Sequence, residues 1–259
     1  MTDVTQFYLG LRERARQIVS RLPEPDFYRQ EAAALHLSES IFETAPLVAE
    51  LRRSVAGLLE DDFGHGMLHA RKVAVEAGAL VHIEGRAGGM PERALTRRVC
   101  LAHCAGLLHD IQRKQPNHAE ESARHAQRLL SARPLTQGEI ADICIAIRNH
   151  EAFKPTWAVE TREAALLSDC LYDADKFRWG PDNFTDTLWA MTVFKRPSRE
   201  EFMRRFPRGM ESLARIKTTF RTAAGKKYGP QFIDLGIAAG KALCRLMADE
   251  FALEPSDSN

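Results

Sequence analysis

The feature that most constrains the fold is an apolar spacing close to 3.6 residues, which recurs along almost all of the 259-residue chain. Alternation of apolar and polar residues over strand lengths is hard to find. Three segments begin with a capping-box pattern, in which Asn117, Thr136 or Ser198 is followed three residues later by Glu. The sequence therefore predicts an all-α fold, with helices at about 4–21, 38–60, 66–83, 92–110, 118–132, 137–150, 161–177, 183–193, 199–222 and 231–252.

Composition narrows the class of protein. Hydrophobic residues make up 44% and charged residues 27% of the chain, as in an ordinary globular protein. The length suits one large domain, and we expect a single helical domain over residues 1–259. Lys and Arg number 36 against 35 Asp and Glu, so there is no strong signal for nucleic acid or an anionic membrane. No apolar run approaches the roughly 18 residues that a membrane span requires.

Cysteine usage and the first residues bear on the compartment. The five cysteines form no CxxC pair, and an odd number in apolar helical surroundings suggests reduced thiols. The first 19 residues lack the apolar stretch and the small-residue cleavage site of a signal peptide. We therefore expect a cytoplasmic protein, and the composition leaves a homo-oligomer open.

Histidines and acids cluster at the ends of the predicted helices. A helix packs its apolar stripe inward, so an ionisable group beside that stripe needs a compensating partner. The adjacent pair His109-Asp110 follows the apolar run CAGLL and points two ligand groups about 100° apart around a helix. Imidazole and carboxylate together are ligands that suit Mn, Fe, Co, Ni or Zn. Further histidines and acids on these helices are His69, His118, His150, Asp173 and Asp175.

The order of these residues resembles the HD superfamily of metal-dependent phosphohydrolases. His69 is followed by Lys72 and Val73, GLLHDIQRK contains His109 and Asp110, and DADK contains Asp175. NHAEESARHAQRLL and IAIRNH resemble two further segments of that family. The resemblance covers about residues 60–180. It implies an HD-domain helical bundle with additional N- and C-terminal helices, in which His69, His109, Asp110 and Asp175 bind a metal ion. It also implies one or two divalent transition metal ions (Mn, Fe, Co, Ni or Zn) and hydrolysis of a phosphate ester.

Two of the ligand assignments have neighbours that compete with them. His65 lies one turn before His69, and the position of Lys72 and Val73 favours His69. Asp173 competes with Asp175, which the Ala-Asp-Lys context favours, while Asp173 is a candidate to cap or orient a neighbouring His.

His118 and His150 also have two interpretations. In the HD superfamily, both positions can bind a second metal ion with Asp110 as the bridging carboxylate. The alternatives are that they contact the substrate, or that His118 simply lies in the first turn of its helix.

The resemblance also suggests catalytic residues. Asp110 would both bind the metal and steer a proton of the attacking water. Arg113 and Lys176 are cations that follow predicted ligands, and we expect them at the mouth of the pocket, where they would bind phosphoryl oxygens. Some nucleotidases of the family carry a catalytic Glu at the place of Arg113, so their mechanism does not transfer intact. The expected partner is a small phosphorylated substrate, with nucleotides among the candidates.

Two other functions compete with hydrolysis. A subset of the superfamily uses a di-iron site with the same ligand order to activate oxygen, and this chain matches that order as well. A non-catalytic metal-binding or sensing module is the third interpretation, although a complete ligand set argues against it. The region after residue 180 matches no motif. Its aromatic residues are expected to pack over the site, with base stacking by Trp179 or Phe184 as the alternative.

Overall fold

A computed structural model describes residues 3–59, 66–189, 192 and 197–253. No strand occurs among these residues, so the prediction of an all-α fold is confirmed. The chain forms a bundle of α-helices with one π-helical turn at Asn183–Thr187. In chain order the helices are α1 Asp3–Val19, α2 Asp26–Gln30, α3 Ala32–Thr44, α4 Pro46–Val55, α5 Met67–Ala87, α6 Glu92–Leu108, α7 His118–Leu130, α8 Gln137–Arg148, α9 Arg162–Phe177, α10 Arg199–Ile216 and α11 Ala223–Leu253.

Several predicted boundaries were wrong for identifiable reasons. The helix predicted over 38–60 is interrupted before Pro46, because the residue ahead of a proline is pushed into extended backbone and Ala45 has ψ 121°. The prediction missed α2, Asp26–Gln30, and the first six residues of α3, residues 32–37. α11 begins at Ala223 rather than 231 and contains Pro230. Its start is stabilised by a carboxylate of α9, which accepts the backbone N–H groups just ahead of the first turn.

Other predicted ends moved by a few residues. The helix predicted over 199–222 ends at Ile216, and only the π-helical turn Asn183–Thr187 and a short continuation represent the one predicted over 183–193. Residues 190, 191 and 193 of that prediction lie outside the described residues.

The three predicted caps had different outcomes. Thr136 forms a full capping box with Glu139, and Ser198 accepts the backbone N–H of Glu201. Asn117 makes no capping hydrogen bond through its side chain. Its backbone ψ is 54°, whereas Thr136 and Ser198 have the extended values of 159° and 163° that turn a side chain towards the first helical amides.

The two central helices, α5 and α6, approach each other more closely than side chains would normally allow. A Cβ added at Gly106 would lie 2.4 Å from the Cα of Ala74. One turn further along the same contact, a Cβ at Gly78 would lie 2.5 Å from the His103 ring. Both helices are buried on nearly all sides, as expected of helices at the centre of a bundle.

Helices from both ends of the chain share one apolar core. It includes Tyr8 and Leu11 of α1, the aromatic rings of Phe27 and Phe177, and Met247 of α11. Within the described ranges, no helix combines the length and the apolar character that crossing a bilayer would demand.

The Gly106 contact generates the first prediction. Gly106→Ala should force α5 and α6 apart, because the added carbon meets backbone rather than a flexible side chain. We expect a loss of about 1–3 kcal/mol in the free energy of unfolding, measured by urea denaturation. Gly10→Ala is the matched control, since a Cβ there meets no heavy atom within 4 Å and Ala favours a helix by up to about 1 kcal/mol. Equal stability of the two variants would contradict the interpretation.

Candidate metal centre

The bundle brings the six predicted ligands together from five helices. His69 lies in the first turn of α5, and His109 and Asp110 directly follow α6. His118 begins α7, His150 lies two residues after α8, and Asp175 is in the last turn of α9. All six side chains are buried, although the polar groups of a protein are usually exposed.

The first group of ligand atoms surrounds the end of α6. The Nε2 atoms of His69 and His109 are 3.2 Å apart. The Oδ1 atom of Asp175 lies 3.5 Å from the first and 3.7 Å from the second. The Oδ2 atom of Asp110 lies 3.6 Å from His109 Nε2. Two imidazoles and two carboxylates therefore face one another.

The second group lies on the other side of Asp110. Its Oδ1 atom is 3.5 Å from His118 Nε2 and 3.4 Å from His150 Nε2. One oxygen of the carboxylate thus faces His109 and the other faces His118 and His150, which is the arrangement expected of a bridging ligand.

Backbone carbonyls orient two of the imidazoles. His109 Nδ1 lies 2.8 Å from the carbonyl of Gly106, and His150 Nδ1 lies 2.6 Å from the carbonyl of Ile147. A carbonyl oxygen only accepts, so each Nδ1 carries the hydrogen. In the neutral ring the lone pair is then on Nε2, the atom that faces Asp110.

The ionisable groups of the cluster shift one another's pKa values. Burial favours the neutral form of Asp175, but Lys176 and the imidazoles of His109 and His69 outweigh it and hold its pKa well below the ordinary value. Burial likewise opposes a charge on His109, yet the carboxylates of Asp110 and Asp175 raise its pKa. Burial lowers the pKa of His118 to about 3 against the opposing effect of Asp110, so this ring is neutral near pH 7.

This donor set fits a divalent transition metal. Within each of two groups of three residues, the ligand atoms lie within 4.8 Å of one another. Atoms bound to one ion at about 2.0–2.3 Å are themselves roughly 3–4 Å apart, and the separations here are 3.2–3.7 Å. The groups are His69, His109 and Asp110, and Asp110, His118 and His150.

The two predicted cations lie beside the cluster, but in different environments. The Nη1 atom of Arg113 is 2.6 Å from His118 Nε2 and 3.9 Å from Asp110 Oδ1, and its side chain is 37% exposed. The prediction that Lys176 lies at the pocket mouth is wrong. Its side chain is only 4% exposed, because the ammonium pairs with Asp175 and lies over the Tyr172 ring.

The competing residues have other roles or cannot be placed. His65 lies outside the described residues. The carboxylate of Asp173 accepts backbone N–H groups of Arg221 and Thr222 at 2.9 and 2.8 Å. It therefore holds the start of α11, as an interhelical cap, and the structure gives it no imidazole partner among the hydrogen bonds of the described residues.

The sequence interpretation missed a buried ion-pair network next to the site. Arg178 donates to Glu76 at 2.6 Å and also contacts Asp182, while Lys72 donates to Asp182 at 2.9 Å. Burial raises the pKa of Glu76 to about 7, although Arg178 acts against this. A single Glu within the apolar run VAVEAGALV was the signal for this network.

Asn149 is a second residue that was missed. Its side chain accepts from the backbone N–H of Trp157 at 2.7 Å and donates to the carbonyl of the same residue at 3.2 Å. These two bonds close the loop that carries His150, Glu151 and Phe153. These bonds therefore fix the loop backbone that carries His150.

Comparison with known proteins gives no relative: no family model, no curated protein and no solved structure matches this chain.

The geometry generates a prediction about metal stoichiometry. We expect two equivalents of Mn²⁺ to bind, His118→Ala to lose one of them, and Asp110→Ala to lose both, since only Asp110 belongs to both groups. Calorimetric titration of the metal-free protein measures this. His125→Ala is the control, because it removes an imidazole from the same helix at a partly exposed position outside the cluster. Two equivalents retained in Asp110→Ala would refute the assignment.

Proposed function

We propose that this chain is a metal-dependent phosphohydrolase of the HD superfamily, which cleaves a phosphate ester. The observation that carries the proposal is the convergence of all six residues of the ordered pattern in one buried cluster. A resemblance in sequence order alone leaves each residue free to be a core or surface group. The convergence of these residues around Asp110, with Arg113 and Lys176 beside them, supports a shared catalytic function.

A divalent cation in the cluster would supply Lewis acidity towards water and towards a phosphoryl oxygen. The chain itself must then hold the ester and place its phosphorus near Asp110. Arg113 is suited to this, because its guanidinium is 3.9 Å from Asp110 Oδ1 and partly open to the cavity. Its planar donors match two phosphoryl oxygens, and charge develops on those oxygens in the transition state.

The buried cation Lys176 has a different role in the proposal. Its ammonium neutralises Asp175, which lowers the negative charge that an incoming phosphate meets. Glu151 lines the same cavity and lies 3.8 Å from His118 Nδ1, where it can orient that ring. Because the six candidate ligands are buried, the dielectric constant around them is low. Electrostatic interactions with a bound phosphate are therefore stronger there than in water.

A di-iron oxygenase is the second candidate. It is favoured by the donor set, in which four imidazoles and two carboxylates follow the ligand order of that subset and Asp110 offers one oxygen to each side. This observation is equally compatible with hydrolysis, so the two functions must be separated by their products.

One experiment distinguishes these functions. The purified protein is analysed for bound metal and assayed with phosphate monoesters and nucleotides for release of inorganic phosphate, and with phosphate diesters for release of the alcohol, with oxygen uptake recorded in parallel. Hydrolysis predicts release of phosphate or alcohol that a chelator abolishes and a transition metal restores. Iron-dependent oxygen uptake without phosphate release would replace the proposal by the oxygenase, and metal binding with neither activity would leave a binding module.

Arg113 provides a sharper test of the hydrolase. Arg113→Ala should lower kcat/KM by about 30- to 150-fold, or about 2–3 kcal/mol, because it removes a charge-assisted donor at the oxygens where charge accumulates. Steady-state kinetics with the active ester measures the change. Arg124→Ala is the control, since Arg124 is exposed and pairs only with acids of its own helix. Unchanged kinetics in Arg113→Ala would assign Arg113 to the surface.

A further inference from the structure

A cavity of about 580 Å³ extends from the candidate metal centre to the π-helical turn and α10. At one end its wall contains the side chains of five of the six candidate ligands, all except His109, together with Arg113 and Lys176. At the other end its wall is built by the π-helical turn and α10, and the surface of the cavity as a whole is mostly apolar. The volume is in the range of pockets that enclose a drug-sized molecule.

The apolar wall comes mainly from one face of α10. Phe202, Phe206, Met210 and Leu213 recur at intervals of three or four residues, which places them on one side of the helix. Phe184 of the π-helical turn completes this wall. An amphipathic helix normally buries such a face completely, whereas here part of the face borders open space.

Charged residues are distributed unevenly between the two ends of the cavity. Ionic groups of the described lining are concentrated at the metal end, apart from Glu201 and Arg205 on α10. Those two pair with each other at 2.7 Å, and the arginine side chain is 66% exposed. A charged group of the ligand would therefore find few oppositely charged partners at the apolar end. The metal end, by contrast, is suited to an anion.

Phe153 extends the apolar surface towards solvent. Its side chain is 51% exposed and lines the cavity, and its backbone has a φ of 61°, which a residue with a side chain rarely adopts. The guanidinium of Arg215 lies 4.4 Å from its ring centroid and connects this loop with α10. Backbone strain of this kind persists only where surrounding contacts hold it.

We propose that the substrate is an amphiphilic phosphate ester, whose phosphoryl group binds at the metal end and whose alkyl tail occupies the apolar end. The inference rests on the proposed function. In the reaction the oxygen of water bonds to phosphorus, the P–O bond to the alkyl group breaks, and the leaving oxygen takes a proton, so that an alcohol and inorganic phosphate result. A nucleotide is the competing occupant that the test must exclude, because the polar side chains of Asn183, Thr187 and Ser212 also line the cavity.

The test is a homologous series of alkyl phosphates from ethyl to decyl, assayed with the metal-loaded protein beside nucleoside monophosphates. KM should fall by about three- to fourfold for each added methylene until the cavity is filled. Binding of the corresponding alkylphosphonates, measured by calorimetry, should tighten by the same factor, and this readout does not require turnover.

Gly209 allows the cavity to be narrowed without disturbing the core. It lines the cavity on α10, and a Cβ added there meets no heavy atom within 4 Å. Gly209→Leu should reduce the preference for octyl over ethyl phosphate at least tenfold, both in kcat/KM and in phosphonate affinity. Gly10→Leu, the same change at an equally open position of α1 outside the cavity lining, should keep the preference of the wild type.

The outcomes separate this inference from the function beneath it. Phosphate release with no dependence on chain length, or with a preference for nucleotides, would overturn the amphiphilic substrate and leave the hydrolase standing. Phosphonate affinity that rises with chain length and is weakened by Gly209→Leu, without hydrolysis of any ester, would support the apolar tail site and overturn the hydrolase. An unchanged chain-length preference in Gly209→Leu would place the tail elsewhere and overturn the inference.

Discussion

The contact between α5 and α6 at Gly106 is the constraint on which the candidate site depends. Because Gly106 has no side chain, the backbone of α6 reaches Ala74 of α5, and the ends of the two helices bring His69 and His109 to 3.2 Å. The carbonyl of the same glycine accepts from His109 Nδ1 and directs Nε2 into the cluster. One residue thus sets both the distance between two ligands and the orientation of one of them.

Beside this contact, the bundle pairs several buried charges with opposite ones. Arg178 lies between Glu76 and Asp182, and Lys72, one turn after His69, reaches the same Asp182. Burying an unpaired ion costs far more than a surface pair contributes, so these side chains constrain the positions of the helices that carry them. The network therefore ties α5 to the end of α9, the two helices that supply His69 and Asp175.

Much of the fold and the convergence of the site could be predicted from sequence, and the exceptions have local causes. The 3.6-residue period predicts α5 to α9 closely, because apolar spacing and packing agree there. It did not predict the interruption at Pro46 or the start of α11, which depends on Asp173, a residue distant in sequence. The prediction for Lys176 was wrong because a cation that follows a predicted ligand is expected to be exposed, whereas the ion pair with Asp175 stabilises the buried ammonium.

The two ends of the cavity differ in how readily a sequence reveals them. Ligands such as His109 and Asp110 are conspicuous, because ionisable residues after an apolar run need a reason to be there. Phe202, Phe206 and Met210 carry no such signal, since apolar residues at helical spacing look the same whether they fill a core or line a cavity. Only the three-dimensional structure shows that the apolar face of α10 borders open space next to the cluster. The motif therefore predicts where a metal ion could bind, while the shape of the adjoining cavity depends on how a helix without any motif packs over the site.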